Sequence, residues 1–249
     1  MIRLSVNVNK VAALRNARGG QLPDPAAAAR AAIAAGCGGI TVHPRPDQRH
    51  IGVDDVARIA AVLGDEVEYN IEGNPFARAR DSYPGYLDLV RGTCPTQTTL
   101  VPDADDQITS NQGFDLKRDG ERLRPVVAEL KSLGCRVSLF MNAGDRDIGR
   151  AAEIGADCIE IYTGPYAEAF DRGDCASALD ACVASAQEAR AAGLEVNAGH
   201  DLNQRNLASF RRAIPFLAEV SIGHALISEA LYDGLAATVR NYLGILAGN

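Results

Sequence analysis

Three of the four histidines in this chain end or follow short apolar runs. His43 closes G-G-I-T-V-H, His200 closes L-E-V-N-A-G-H and His224 follows V-S-I-G, while His50 lies seven residues past His43 in a turn-rich stretch. Imidazole is the side chain that gains and loses a proton most easily near neutral pH. Two carboxylates sit in comparable runs, Glu72 in Y-N-I-E-G and Glu160 in I-E-I-Y. If the runs are strands of one parallel sheet, His43 and Glu72 face each other on neighbouring strands, and His200 approaches across the mouth. Two imidazoles and a carboxylate around one cavity can move several protons in sequence. Glu160 and Tyr162 share a parity, so both can point inward. A carboxylate between Ile159 and Ile161 is costly to bury alone, and a structural ion pair is the other use open to Glu160.

The same strand ends carry groups suited to anions. Gly223-His224 follows a strand-like run and opens a helix, whose first backbone N–H groups can hold phosphate. Arg18, Arg45 and His50 form a second cationic group near the first two runs. Two separate anion sites imply two phosphorylated ligands or one bisphosphate. Metal chemistry is the rival use of histidine. The first run has no H-x-H and the chain has no H-E-x-x-H, so the expectation is acid–base catalysis with no metal and no cofactor.

These residues need a scaffold that brings strand ends together. Eight β-branched or apolar runs fall at Arg3–Val8, Gly39–His43, Val67–Glu72, Thr98–Pro102, Arg136–Asn142, Cys158–Tyr162, Leu194–Asn197 and Glu219–Ile222. Helical stretches separate most of them. One opens at Asp24-Pro25 and stops at Gly36; others run from Asp54 to Leu63, up to Leu133, from Asp145 to Ile154, from Asp174 to Ala192 and from Asn203 to Ala213. The tail from Ala225 reads as helix with a break near Gly234. Residues 74–92 stay open because Pro84 interrupts them, and 103–113 reads as a long polar loop. Eight strand–helix alternations predict an α/β fold, a (β/α)8 TIM barrel with extra helices, as a single domain over 1–249. An open doubly wound sheet is the alternative, but no G-x-G-x-x-G turn follows the first strand. In a barrel, ligands bind at the C-terminal ends of the strands.

Composition agrees. At 249 residues and 47% apolar, the chain can fill one barrel core. A net charge of −7 argues against nucleic acid as a partner. No run is long enough to span a membrane, and the first residues read as a strand rather than a signal peptide, so the expected location is cytoplasmic. The six cysteines show no C-x-x-C pairing and read as small buried hydrophobes in a reducing compartment.

The ordered set of motifs resembles the pyridoxine 5′-phosphate synthase family nearly end to end. V-N-V-N, L-R-N-A-R-G and P-D-P come first, then G-I-T-V-H-P-R, R-H-I, N-I-E-G and L-V-P-D. V-S-L-F, I-E-I-Y-T-G-P-Y-A, L-E-V-N-A-G-H-D-L-N and I-G-H-A-L-I follow in family order. The resemblance implies a barrel with extra helices, assembled as a homo-oligomer, an octamer. It implies condensation of 3-amino-2-oxopropyl phosphate with 1-deoxy-D-xylulose 5-phosphate, giving pyridoxine 5′-phosphate, inorganic phosphate and water. His43 and Glu72 would then be general bases, His200 the general acid, and Glu160 would stabilise charge at the reacting centre. Asn7, Arg18, Gly223 and His224 would hold the aminoketone phosphate; Arg45, His50 and Thr109 would hold the sugar phosphate. The chain departs from the family pattern twice. Asn9-Lys10 stands where the family often has Asp-His, which places Asn9 and Lys10 in the sugar-phosphate site. Asp201 stands where the family often has Gly after the acid histidine, and is expected beside the substrate.

Overall fold

Each barrel strand alternates between residues that face the surrounding helices and residues that face the barrel axis. Leu4, Val6, Ile40, Val42, Ile71, Leu100, Leu139, Ile159, Ile161, Val220 and Ile222 are fully buried on the helix side. Each such side chain contributes ~1.5–3 kcal/mol on leaving water. The computed structural model describes residues 2–248, so positions 1 and 249 of the expected domain lie outside the described residues.

The barrel starts with β1 (Arg3–Asn7), β2 (Gly39–Val42) and β3 (Glu68–Gly73). A two-stranded antiparallel hairpin, β4 (Arg78–Arg80) and β5 (Tyr83–Gly85), then stands outside it. The barrel continues with β6 (Gln97–Leu100), β7 (Arg136–Asn142), β8 (Cys158–Tyr162), β9 (Glu195–Gly199) and β10 (Glu219–Ile222). The eight strands close in the order β1-β10-β9-β8-β7-β6-β3-β2, with every neighbour parallel. This is the expected single-domain TIM barrel.

The helices among the described residues are α1 (Asn9–Asn16), α2 (Pro25–Ala34), α3 (Val53–Ala60), α4 (Tyr86–Thr93), α5 (Leu116–Ser132) and α6 (Arg150–Ile154). They continue with α7 (Gly164–Asp171), α8 (Ala176–Ala191), α9 (Leu207–Ala213), α10 (His224–Asp233) and α11 (Leu235–Ala247). Asp24 accepts a hydrogen bond from the Ala26 N–H at 3.1 Å and Pro25 occupies the first turn, which fixes where α2 begins. Asp115 caps α5 in the same way. The last helix, α11, packs on α2, α9 and β1.

Several boundaries differ from those read in the sequence. The sixth helix starts at Arg150 rather than Asp145, because residues 143–149 form turns. Residues 74–92 resolve into the β4–β5 hairpin and α4; Pro84 sits in the hairpin, where it breaks no helix. Helices α1 and α7 were not foreseen. Neither has a side-chain N-cap bond, and Gly164-Pro165 at the start of α7 reads as a turn.

The barrel axis is polar along its length, where branched apolar side chains commonly fill such barrels. In the middle layer the Ser5 and Thr41 hydroxyls bond at 2.7 Å, and Thr99 donates to Asn70 at 3.1 Å. The layer at the C-terminal ends holds the candidate site.

Candidate active site

Register decides which side chains meet. Val42 pairs with Ile71, which sets His43 level with Glu72. Accordingly, His43 Nδ1 lies 3.7 Å from Glu72 Oε2, and its Nε2 lies 3.8 Å from Asp103 Oδ2. Six adjacent strands, β8, β9, β10, β1, β2 and β3, then supply an arc of functional groups. Glu160 comes from β8, His200 follows β9, Gly223 and His224 follow β10, and Asn7 ends β1. His43, Arg45 and His50 follow β2, and Glu72 comes from β3. All of these line one cavity of about 320 Å³, together with Asn9, Lys10, Thr109 and Asp201.

Burial sets the proton affinities. The His43 imidazole is buried, and with Arg45 and His200 nearby its pKa drops to about 3, so it is neutral and able to accept a proton at neutral pH. His50 is lowered to about 3 for the same first reason, with His43 and Arg45 adding. Glu72 is pushed well above the usual carboxylate range by burial, then by the Glu160 and Asp103 carboxylates. Its modest support is the Asn7 amide, which donates to Oε2 at 3.4 Å. Burial pushes Glu160 up to about 8, and its Oε2 has no hydrogen-bond partner. The expected alternative, a structural ion pair for Glu160, is absent among the described residues. Glu160 is crowded instead: a Cβ on Gly199 would collide with its Oε1 and lie 2.9 Å from the Ser221 carbonyl oxygen.

Arg45 is 5% exposed. It is ion-paired with Asp103 and donates to the Gln107 carbonyl at 2.7 Å. Arg49 donates to that carbonyl at 2.9 Å. These bonds hold the polar 103–113 loop against the mouth. Thr109 Oγ1, on that loop, is 2.6 Å from His200 Nε2. Asp103 reads in the sequence as a loop residue with no binding role. It is buried, takes a bond from Ser110 at 2.7 Å, and burial raises its pKa against the pull of Ser110 and Arg45. Its signal in the sequence was an acid directly after a strand-end Pro.

Two of the expected residues are placed in ways the sequence does not show. Arg18 is not brought to the cavity. The unforeseen α1 carries the chain outward, leaving Arg18 exposed in the turn beyond it, while Arg15 turns in to pair with Asp55 at 2.6 Å. Asn9 lines the cavity, yet its Oδ1 accepts the His43 backbone N–H at 2.9 Å. Its amide oxygen is therefore engaged in fixing the His43 backbone. Lys10 is exposed in the first turn of α1, at the cavity edge.

Residues 4–248 match the family described as pyridoxal phosphate biosynthesis protein PdxJ. The chain belongs to the PdxJ family. It is an enzyme of pyridoxal phosphate biosynthesis. Relatives include pyridoxine 5′-phosphate synthase of Xanthomonas campestris pv. campestris (strain B100), 60% identical over 98% of this chain and 96% of the relative. The protein of the same description from Xylella fastidiosa (strain M23) is 57% identical over 98% and 94%. Among solved structures, phosphoribosyl anthranilate isomerase from Thermotoga maritima has a TM-score of 0.61 at 13% identity, over 100% of both chains. Thiamine phosphate pyrophosphorylase from Pyrococcus furiosus has a TM-score of 0.62 at 10% identity, over 99% of this chain and 96% of that one. These two likenesses extend to the barrel alone; the PdxJ assignment rests on the sequence relatives.

Proposed function

We propose that this chain is a pyridoxine 5′-phosphate synthase of vitamin B6 formation. It joins 3-amino-2-oxopropyl phosphate to 1-deoxy-D-xylulose 5-phosphate and releases phosphate and water. The observation that carries the reading is the convergence of a neutral His43, a proton-avid Glu72, an unpartnered Glu160 and His200 on one cavity. Imine formation, loss of phosphate, ring closure and aromatisation are mostly proton transfers. His43 and Glu72 act as general bases, and His200 as the acid that protonates leaving oxygen. Glu160 stabilises charge at the reacting centre. A site that only sensed phosphate would have no use for all four.

The two phosphates divide between flanking groups. Gly223 and His224 begin the ten-residue α10, whose first N–H groups hold the aminoketone phosphate with help from Asn7. Arg45, His50, Thr109 and Lys10 hold the sugar phosphate. Confining both substrates removes up to ~7–11 kcal/mol of entropic barrier in favourable cases. The working enzyme is a cytoplasmic homo-oligomer of octameric order. Support comes from exposed Leu14 on α1 and Leu231 and Tyr232 on α10, two helices in mutual contact. The deciding assay mixes both substrates and follows phosphate release with the absorbance of the product ring. Phosphate release without ring formation, or neither, overturns the reading; light scattering checks the octamer.

A further inference from the structure

His200 is held unusually tightly for a residue at a cavity mouth. Its backbone φ is +89°, a conformation that non-glycine residues rarely adopt, so its surroundings must compensate. Three contacts fix the ring. Nδ1 lies 2.5 Å from Asp201 Oδ2, Nε2 lies 2.6 Å from Thr109 Oγ1, and the Tyr162 ring meets it edge-on at 5.4 Å. Asp201 is itself anchored: its N–H donates to Thr163 Oγ1 at 3.4 Å, and its carbonyl accepts from Asn206 at 3.2 Å.

We infer that Asp201 is a positioning residue for His200, holding the proton on Nδ1 and presenting Nε2 to the substrate. The sequence placed Asp201 against the substrate itself, but an ionised carboxylate offers only acceptors and repels a phosphate. Its oxygen is spent on the ring nitrogen that faces away from Thr109. A carboxylate there fixes the imidazole tautomer and orientation. In the acid step, Nε2–H passes its proton to the departing oxygen. The electron pair stays in the ring, and Nδ1–H remains on Asp201. The other groups close enough to influence this ring are Tyr162 at the end of β8, His43 after β2, and Asp103 on the loop after β6. This inference rests on His200 being the proton donor.

The test is steady-state kinetics of D201N, D201E and H200N, with the histidine tautomers of the wild type and D201N read by ¹⁵N NMR. D201N should lower kcat ~10–100-fold, the usual loss when an orienting partner is removed. Both KM values should stay within about twofold, since neither substrate contact is touched. The ¹⁵N spectrum of D201N should lose the preference for the proton on Nδ1 of His200. D201E should recover part of the loss. A rise in KM with kcat unchanged would return Asp201 to the substrate and sink the inference. Should D201N fail to fold, a wild-type spectrum with His200 protonated on Nε2 alone overturns it equally. H200N separates the two layers. Full turnover in H200N removes His200 as donor, whereas an inactive H200N beside a wild-type-like D201N removes only the role of Asp201.

Discussion

The two ends of the barrel axis hold similar numbers of acids and treat them in opposite ways. At the N-terminal end Arg3 pairs with Glu68 at 2.8 Å and with Glu219 at 3.4 Å. Arg136 bonds Glu195 at 2.6 Å, Asn197 at 3.3 Å and Gln97, and Gln97 in turn donates to Glu219 at 3.2 Å. Two arginines, on β1 and β7, thus tie six strands into one network. At the C-terminal end the sole buried arginine among the described residues, Arg45, is committed to Asp103 and the loop. Glu72 receives one long amide contact and Glu160 receives none. Burial raises Glu219 below as it raises Glu72 and Glu160 above, but only below do arginines reach the glutamates. The upper set is left for protons and ligands to neutralise, which is the property acid–base catalysis requires.

This contrast can be broken from either end. The largest effect belongs to E72Q. Removing the proposed base should cost ~10²–10⁴ in kcat with a normal melting curve. Normal turnover in E72Q would show that the upper carboxylates are no different in kind from the lower ones. R136M should do the reverse, leaving Glu68 and Glu219 with Arg3 alone. Arg136 is half-buried and its close ion partner Glu195 is exposed, so the loss is about 1–3 kcal/mol, that of buried polar groups left without a partner, which thermal denaturation would record as a fall of several degrees. Turnover per folded molecule should be retained.

E160Q sharpens the comparison through pH. The folded protein holds the Glu160 proton up to about 8, far above the usual value of 4.5. The neutral form is therefore the one that folding favours. Its stabilisation is complete below pH 4.5 and is lost as pH rises through about 8. E160Q does not titrate. It should match the wild type at pH 4.5 and exceed it at pH 8.5, on the order of 3 kcal/mol. It should also turn over slowly. Equal pH dependence in both proteins would mean that Glu160 is solvated. The smallest effect is expected from K10M at the rim. The KM for the sugar phosphate should rise about fivefold, the ~1 kcal/mol of one charge at ~4 Å in water. That rise should shrink at high salt. Unchanged values would leave Lys10 as a surface charge.

How much of this could be read in advance follows the same division. His43, Glu72, Glu160 and His200 were legible because each sits in or just after a β-branched run, and a parallel barrel gathers strand ends at one face. The strands themselves were placed to within a residue or two. What failed was everything that breaks the simple alternation. Arg136, Gln97 and Glu219 sit where a buried strand should be apolar, and nothing in one strand reveals that its charge is matched on another strand. The β4–β5 hairpin was hidden by its length. Helix α1 starts without a capping side chain, so Asn9 and Lys10 read as a strand end and Arg18 as a neighbour of the mouth. The pairing of Asp103 with Arg45 spans 58 positions and depends on a loop whose path no periodicity encodes.

The contact between Gly199 and Glu160 has a consequence for how this chain can change over generations. Glycine is needed at 199 for no turn and no unusual dihedral; it is needed because the reactive carboxylate fills the space a methyl would take. The two positions are therefore inherited as a unit. A variant that gains a side chain at 199 must first have lost length at 160, and the Ser221 carbonyl must still yield. In a saturation library, position 199 should thus be as intolerant as a proton donor while taking part in no proton transfer. Its rare revertants should map to the neighbouring strand.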